Sequence, residues 1–222
     1  NTIGSAGFSP NEVDELDLAI GDSDTPYVAT NDAGAGVSVL TYDGQGWGAL
    51  GSLQTPSSIS YISLVVDSAG DVYLAYDDDD NGGNVTVQTY GDTWSFVGNA
   101  GFSTDYDDNR HIDIETDTQN RPNVAFLDGT SDSVRVMRFD SGNWSLLGDN
   151  AAVSIPGSAI DLSLSPDDLP YVAYSTGSSI EVSMYSGASW IALGNGGVWP
   201  LSSIVDGKSI GLAFSDNGNP YV

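Results

Sequence analysis

The chain of 222 residues is predicted to be all-β and to fold as a β-propeller, and three observations lead to this prediction. Short runs of alternating apolar and polar residues are typical of strands, and no long stretch has the apolar spacing of a helix. The 27 glycines indicate many turns. A short motif recurs at spacings of 46, 50, 48 and 50 residues, which is typical of propellers, solenoids and repeat arrays. Its reference position is occupied by Tyr27, Tyr73, Asn123, Tyr171 and Tyr221.

The first two strands of each copy surround a tight turn. Eleven residues before the reference position a run begins in which the first, third and usually fifth residues are apolar: LDLAI, ISLVV, IDIET, IDLSL and IGLAF. A turn of Asp, Ser, Asn and Gly follows, and then the second strand: PYVAT, VYLAY, PNVAF, PYVAY and PYV. Proline is tolerated at the first residue of a strand, where no N–H is needed for pairing.

The third and fourth strands complete the repeat. The third strand reads VSVLTY, VTVQTY, VRVMRF or IEVSMY, and the fourth reads WGALG, WSFVG, WSLLG or WIALG. Four antiparallel strands in a period of about 47 residues match the size of one propeller blade. Small residues in the second strand let neighbouring sheets approach, and the aromatic residues are expected to pack between blades. The small residues are Ala29, Ala75, Ala125 and Ala173, and the tryptophans are Trp47, Trp94, Trp144 and Trp190.

We expect one propeller domain over residues 1–222, with five blades as the favoured number. The repeats are 1–47, 48–94, 95–144, 145–190 and an incomplete 191–222. The opening NTIG resembles the end of a fourth strand, and the last copy stops after its second strand, so both ends are expected to be truncated. A ring of six or seven blades and a section of a longer array are the alternatives.

The repeated phrases W-x-x-[LV]-G, AGFS and PYVAY resemble repeats of bacterial and archaeal secreted or cell-surface propeller proteins. The five copies are also similar in architecture to the tachylectin type of five-bladed lectins. The resemblance implies a propeller in a secreted or surface-displayed protein. It carries no binding residues over to this chain.

The charge is strongly unbalanced. The chain has 31 acidic residues, 27 of them Asp, and five basic residues, which gives a net charge of −26. Such a surface repels nucleic acid and anionic membranes. There is no cysteine, so disulfides and thiol chemistry are excluded. No apolar run approaches the roughly 20 residues of a membrane span, so membrane insertion is not expected.

Three aspartates occupy the second position of the first strand in their copies: Asp17, Asp113 and Asp161. If this strand lines the channel, they form an acidic group near one mouth that binds a ligand or acts on a glycosidic bond. Alternatively, each caps a turn or bonds the backbone of the neighbouring blade, and repetition in three copies favours that role. The one histidine, His111, has no nucleophile motif nearby, so no catalytic residues are assigned and an enzyme is not predicted.

Two further candidate sites interrupt the repeat. The loop YDDDDNGGN places Asp77, Asp78, Asp79 and Asp80 together, and hard oxygen ligands on a flexible loop suit Ca²⁺. A solvated loop is the alternative, and no cofactor is required. Arg110 and His111 are a candidate site for an anionic ligand. Salt bridges to neighbouring Asp are the ordinary explanation for the arginines of the third copy.

These observations predict an extracellular or cell-surface binding module. Its task would be glycan recognition or adhesion through loops at a mouth of the propeller, because loops on a rigid scaffold commonly carry binding residues. Its partner would be a glycan, another cell-surface component or copies of itself. A structural subunit of a surface layer, filament or appendage is the alternative, and a glycosidase using the channel-mouth carboxylates is the second alternative.

Overall fold

The structure is a computed structural model. It describes residues 3–4, 7–9, 11–32, 36–56, 59–103, 111–131, 133–148, 153–154, 159–176, 179–194, 199–200, 210–215 and 217–222. In these residues the chain forms twenty strands and two single turns of 3-10 helix, at Asp22–Asp24 and Asp79–Asn81. No helix in the described part of the chain has the length and apolar content needed to cross a membrane.

The chain divides into two compact units, residues 1–103 and 104–222. The first unit contains two four-stranded antiparallel sheets, in each of which the strands pair in chain order. The first sheet consists of β1 (Val13–Gly21), β2 (Thr25–Asp32), β3 (Gly36–Tyr42) and β4 (Trp47–Ala49). The second sheet consists of β5 (Ile62–Val66), β6 (Val72–Asp78), β7 (Asn84–Tyr90) and β8 (Trp94–Phe96).

The second unit contains two sheets of the same kind and a final strand pair. The third sheet consists of β9 (Ile112–Thr116), β10 (Pro122–Asp128), β11 (Ser133–Asp140) and β12 (Asn143–Leu146), and β13 (Val153–Ser154) pairs with β11. The fourth sheet consists of β14 (Ile160–Leu164), β15 (Pro170–Ser175), β16 (Ser179–Tyr185) and β17 (Trp190–Leu193), and β18 (Trp199–Pro200) pairs with β16. The final pair is β19 (Ala213–Phe214) and β20 (Pro220–Tyr221).

The predicted strands are confirmed in the four complete sheets. The first strands of the second, third and fourth copies have the predicted bounds, and β1 is longer than predicted at both ends. In the fifth copy only Ala213–Phe214 of the predicted first strand is extended and paired. The prediction of a single domain with the repeat boundaries given above stays a prediction.

The short strands β13 and β18 were not predicted. In the third and fourth copies, the segment that follows the fourth strand also pairs with the third strand. It pairs with the first residues of the third strand, which the fourth strand does not reach. In the second copy the Phe102 N–H donates to the Val85 carbonyl at 3.0 Å in the same way. The fourth strand is too short to satisfy every backbone group of the third, so the following segment pairs with those that remain.

The core lies between consecutive sheets of each unit. In the first unit, Ala29 and Val39 pack with Leu64 and Leu74 of the second sheet. In the second unit, the third sheet packs against the fourth through a matching set: Ala125, Val134, Val136, Leu162, Val172 and Tyr174. The four second-strand alanines are fully buried, which confirms that small residues allow the sheets to approach.

The tryptophans that begin the fourth strands join neighbouring sheets. The Trp94 indole N–H donates to the Leu50 carbonyl at 2.6 Å, and that of Trp190 donates to the Leu147 carbonyl at 2.8 Å. Each indole also packs beside an aromatic ring of its own sheet, with ring centroids 5.4 Å apart in the Tyr90–Trp94 pair. The predicted packing role of these aromatic residues is therefore confirmed at both junctions.

Candidate functional site

The carboxylates of Asp17, Asp113 and Asp161 each contact the backbone of the next sheet. The Oδ2 atom of each residue accepts a hydrogen bond from the N–H of a leucine at the third position of the following first strand. The pairs are Asp17 with Leu64 at 2.7 Å, Asp113 with Leu162 at 2.5 Å, and Asp161 with Leu212 at 2.8 Å. The structure thus shows the alternative role considered for these residues, a hydrogen bond to the backbone of the neighbouring sheet. Ligand binding by these three residues stays a prediction.

The environment of Asp17 is partly desolvated. Burial raises the pKa of Asp17, while hydrogen bonds from the N–H groups of Leu64 and Leu18 act in the opposite direction. Burial also raises the pKa of Glu15 two residues earlier, and the negative charges of Asp17 and Asp77 raise it further. In this part of the first unit the charges of Asp17 and Asp77 therefore disfavour the ionisation of Glu15.

The Asp77–Asp80 segment is divided between two environments. Asp77 is buried and accepts hydrogen bonds from the N–H groups of Ser60 and Tyr61, the shortest of which is 2.8 Å. Asp78 is buried and accepts hydrogen bonds from the Thr86 hydroxyl at 2.6 Å and the Asn81 amide at 2.9 Å. Asp79 and Asp80 are exposed in the 3-10 turn.

The carboxylate oxygens of Asp77 and Asp78 thus accept hydrogen bonds from groups of the protein itself. Burial raises the pKa of Asp77 against the effect of these hydrogen bonds. Across the residues that the structure describes, no three or more His, Asp or Glu side chains form a group able to hold a metal ion. Calcium binding by this loop stays a prediction.

His111 immediately precedes β9 and is partly buried, which lowers the pKa of its imidazole. Arg110 lies outside the described residues. An anion site formed by these two neighbours therefore also stays a prediction.

The third sheet departs from the repeat at one cross-strand pair. Asn123 of β10 stands where the four other copies have tyrosine in the second strand, and Arg138 of β11 pairs directly opposite it. The position of Arg138 is occupied by Thr41, Thr89 and Met184 in the other sheets. Asn123 is fully buried, and its Oδ1 accepts a hydrogen bond from Arg138 Nε at 2.7 Å.

Arg121 and Arg138, which both lie close to Asn123, differ in how many of their nitrogens donate hydrogen bonds. Arg121 donates to Asp117 at 2.8 Å, to Asp140 at 3.0 Å and to Gln119 at 2.9 Å, so all three of its guanidinium nitrogens are engaged. The side chain of Arg138 is 17% exposed. No described residue accepts a hydrogen bond from its two terminal nitrogens. Arg138 therefore has donors without an acceptor in the described part of the chain, at a partly exposed position.

Residues of the fourth sheet lie close to Arg121 and Arg138. The turn before β15 contacts the turn before β10, where Asp168 accepts hydrogen bonds from the Thr118 N–H at 3.0 Å and the Gln119 amide at 3.3 Å. Burial lowers the pKa of Arg138, and the positive charge of Arg121 lowers it further. The charges of Asp117, Asp168 and Tyr185 act in the opposite direction. We call this group the arginine cluster: Arg121, Asn123, Arg138, Asp168 and Tyr185.

Two departures from the repeat pattern mark this cluster in the sequence, although the pattern alone does not show that they meet. Asn123 replaces the tyrosine of the repeat, and an arginine stands fifteen residues later on the next strand. The expected salt bridges are confirmed for Arg121, which pairs with Asp117 and Asp140, and for Arg135, which pairs with Asp128. Arg138 Nε lies 3.7 Å from Asp117 Oδ2, which is also an ion pair, and it donates its hydrogen bond to Asn123, a contact that depends on the register between β10 and β11.

Solved structures share the fold of this chain. A mutant of AofleA from Arthrobotrys oligospora is 14% identical, with a TM-score of 0.68 over 96% of this chain and 66% of that one. A mutant of the Aleuria aurantia lectin in complex with Fucα1-6GlcNAc is 15% identical, with a TM-score of 0.65 over 88% of this chain and 67% of that one. The fold is a β-propeller. No protein-family model and no curated protein matches the sequence.

The solved structure of a sialidase is also similar. A Hadza microbial sialidase is 10% identical, with a TM-score of 0.50 over 82% of this chain and 45% of that one. The chain spans about two thirds of the length of the first two structures. In propeller terms, the described residues contain four complete blades and a strand pair from a fifth copy.

Proposed function

We propose that this propeller is an extracellular glycan-binding module and that the arginine cluster is its binding site. The observation that carries the proposal is the pair of terminal nitrogens on Arg138 that have no acceptor among the described residues, at the one place where the described sheets depart from the tyrosine repeat. Such a local departure distinguishes this copy from the others, whose equivalent residues serve packing. The complex of the similar Aleuria aurantia lectin with a fucosylated disaccharide supports the choice of a glycan.

The chemistry of the cluster suits sugar hydroxyls. Each hydroxyl is both a donor and an acceptor, and a guanidinium offers donors in a planar fork that spans two adjacent oxygen atoms. The Asp168 carboxylate has acceptor capacity beyond its bonds to Thr118 and Gln119. Tyr185 lies in the same group, where its ring packs beside Trp190. Asn123 fixes the direction of the Arg138 side chain through the bond at Nε.

The charge of the molecule favours neutral glycans over acidic ones. The chain has a net charge of −26, and Asp117, Asp140 and Asp168 lie close to the two arginines. An acidic sugar would meet this field at long range and again at the site. We therefore expect neutral glycans, fucosylated ones included, to bind more tightly than uronic or sialic acid glycans.

The proposal treats the chain as a binding protein without catalysis. A glycosidase needs two carboxyl groups that face each other across the sugar. The carboxylates of Asp17, Asp113 and Asp161 are instead each engaged with a backbone N–H of the following sheet. This supports binding over hydrolysis.

The test is an array of neutral and acidic glycans, followed by titration calorimetry on the best binder. We expect saturable binding of a neutral glycan and an affinity at least about tenfold lower for Arg138→Met, since a hydrogen bond from a charged group contributes about 1.5–3 kcal/mol. Methionine is the residue found at this position in the fourth sheet. The matched control is Thr41→Met, at the same position of the first sheet, which should bind as the parent does.

A second variant protects the test against misfolding. Asn123→Tyr with Arg138→Thr restores the residue pair found in the first and second sheets, so it should fold and lose binding. Equal affinity of this variant and the parent would contradict the site. Absence of binding to every glycan would contradict the function. Repeating the titration in EDTA tests Ca²⁺ separately, since only a calcium-dependent site loses affinity there.

A further inference from the structure

The second strands of the second and third sheets end in a buried aspartate. Asp78 is the last residue of β6 and Asp128 is the last residue of β10, and they are 3% and 2% exposed. Removing a carboxylate from water is unfavourable unless hydrogen-bond donors or a positive charge satisfy its oxygen atoms. The two sheets differ in what they provide for this purpose.

In the third sheet both oxygen atoms of Asp128 have partners. Its Oδ1 accepts hydrogen bonds from the N–H groups of Thr130 at 3.0 Å and Ser131 at 2.9 Å. Its Oδ2 forms an ion pair with Nε of Arg135 on the neighbouring strand β11. The guanidinium thus supplies the positive charge that compensates this buried carboxylate.

Thr86 of the second sheet stands where the third sheet has Arg135. Across the strands Thr86 pairs with Tyr76, and Arg135 pairs with Phe126, which holds the repeat position of Tyr76. Thr86 is fully buried, and its hydroxyl oxygen accepts a hydrogen bond from the Gly101 N–H at 2.7 Å. A neutral hydroxyl therefore replaces the guanidinium beside the aspartate of this sheet.

The carboxylate of Asp78 is only partly satisfied as a result. Its Oδ2 accepts hydrogen bonds from the Thr86 hydroxyl and the Asn81 amide, and both donors are neutral. Its Oδ1 is buried and has no hydrogen-bond partner among the described residues. Asp77 differs, because both of its oxygen atoms accept backbone N–H groups. An unpartnered oxygen on a buried carboxylate marks a place for a ligand that carries positive charge.

The surroundings of Asp78 add further negative charge. Asp79 and Asp80 follow it in the 3-10 turn, and both are exposed. Burial raises the pKa of Tyr76 to about 12, and the charges of Asp78 and Asp80 contribute to this increase, so both carboxylates lie near one ring. A hydrogen bond from Gln88 acts in the opposite direction. A field of this sign attracts a cation to the unpartnered oxygen.

We propose that Asp78 Oδ1 is a ligand of a Ca²⁺ ion, which compensates this carboxylate as the Arg135 guanidinium compensates Asp128. A carboxylate oxygen is a hard ligand, and Ca²⁺ completes its shell with carbonyl oxygens and water molecules. The described residues contain no group of three or more His, Asp or Glu side chains able to hold a metal ion. With few charged ligands we expect a Kd of about 10⁻⁴–10⁻³ M, as in extracellular modules. This inference does not depend on the proposed glycan site.

The test is the melting temperature of the complete chain in about 0.15 M NaCl, measured with EDTA, with about 10 mM CaCl₂ and with the same concentration of MgCl₂. We expect Ca²⁺ to raise the melting temperature by about 3 °C or more relative to EDTA. Mg²⁺ should raise it less, because it requires a stricter geometry. Asp78→Asn should lose the Ca²⁺ effect. Asp92→Asn removes the same charge at an exposed turn and should keep the effect, so it is the matched control.

A second variant tests the role of the charge. Thr86→Arg places the guanidinium of the third sheet beside Asp78, so it should melt at the same temperature with Ca²⁺ and with EDTA. A parent chain that Ca²⁺ does not stabilise would overturn the proposal, and this is the result expected if a water molecule alone satisfies Oδ1. Equal Ca²⁺ effects in the parent and Asp78→Asn would also overturn it, because the ions would then act on the surface charge as a whole. Calorimetric titration of Ca²⁺ into the same variants measures the Kd directly.

Discussion

Asp17 accepts a hydrogen bond from the N–H of Leu64 at 2.7 Å, although the two residues lie on the first strands of different sheets. A second oxygen of the same carboxylate accepts the N–H of Leu18 at 2.8 Å. The carboxylate therefore satisfies one backbone donor in its own sheet and one in the next. Repetition of the inter-sheet bond by Asp113 and Asp161 makes it a regular element of how this chain joins its sheets.

We predict that Asp17→Ala lowers the free energy of unfolding by about 1–3 kcal/mol, because partly buried N–H groups lose their acceptor. Asp17→Asn keeps one of the two acceptor oxygens and removes a charge whose burial is unfavourable, so it should lose less stability than Asp17→Ala. Urea unfolding followed by circular dichroism measures both. Asp92→Ala, at an exposed turn, is the control and should change little. Equal losses in the Asn and Ala variants would argue against the hydrogen bond as the cause.

Trp94→Phe should lower the free energy of unfolding by about 1–3 kcal/mol, because it removes the indole donor and leaves the Leu50 carbonyl unpaired. Trp47→Phe is the matched comparison, since the Trp47 indole lies 3.4 Å from the Ile3 carbonyl and its bond is weaker. Chemical unfolding monitored at 222 nm measures the two differences. A larger loss for Trp47→Phe would contradict this account.

Gly51 ends the W-x-x-L-G phrase of the first copy, with a φ of +67°. An added Cβ would lie 2.6 Å from Cε2 of Tyr90, so Gly51→Ala combines backbone strain with a steric clash. We expect it to cost about 2–4 kcal/mol in unfolding free energy. Gly44→Ala has a similar backbone conformation but no neighbour within 4 Å, and should cost about 1 kcal/mol. Thermal unfolding of the pair separates the clash from the strain.

Glu15→Gln should make stability less dependent on pH. Burial and the charges of Asp17 and Asp77 raise the pKa of Glu15 above its ordinary value of 4.5. The folded state thus favours the protonated form, and stability is lost as the pH rises from below 4.5 through the raised pKa. We expect equal melting temperatures for variant and parent at about pH 3.5, and a variant that melts roughly 1–3 °C higher at pH 7. High salt should reduce this difference, and a variant that is less stable at pH 7 would contradict the prediction.

Alternation and turn composition were enough to predict the strands of the repeat. The segment Ile62–Val66 has the predicted bounds because it lies between turn residues and one of its faces is apolar. The two-residue strands Val153–Ser154 and Trp199–Pro200 were out of reach, since two residues have no period. They form because the third strand offers backbone groups that the short fourth strand leaves unpaired.

The arginine cluster could not be predicted from the repeat pattern, because the pattern does not show which residues of different strands and sheets meet. Asn123 and Arg138 meet because β10 and β11 pair in one register, and Asp168 joins them because a turn of the next sheet contacts the turn at Thr118. The alternation of Leu16, Leu18 and Ile20 likewise predicted which side of β1 is apolar. Whether that side is covered depends on which other sheet packs against it.

The indole contacts of Trp94 and Trp190 have a practical consequence. Each ring touches a carbonyl of the preceding sheet, one at the junction of the first and second sheets and the other at that of the third and fourth. Separation of either pair of sheets would expose its indole to water and shift its emission to longer wavelength. A variant in which Trp94 or Trp190 is the single remaining tryptophan, of the five in the chain, would thus carry an optical reporter of one junction. Different denaturation midpoints for the two reporters would reveal stepwise disassembly, as expected when repeats interact only with their neighbours.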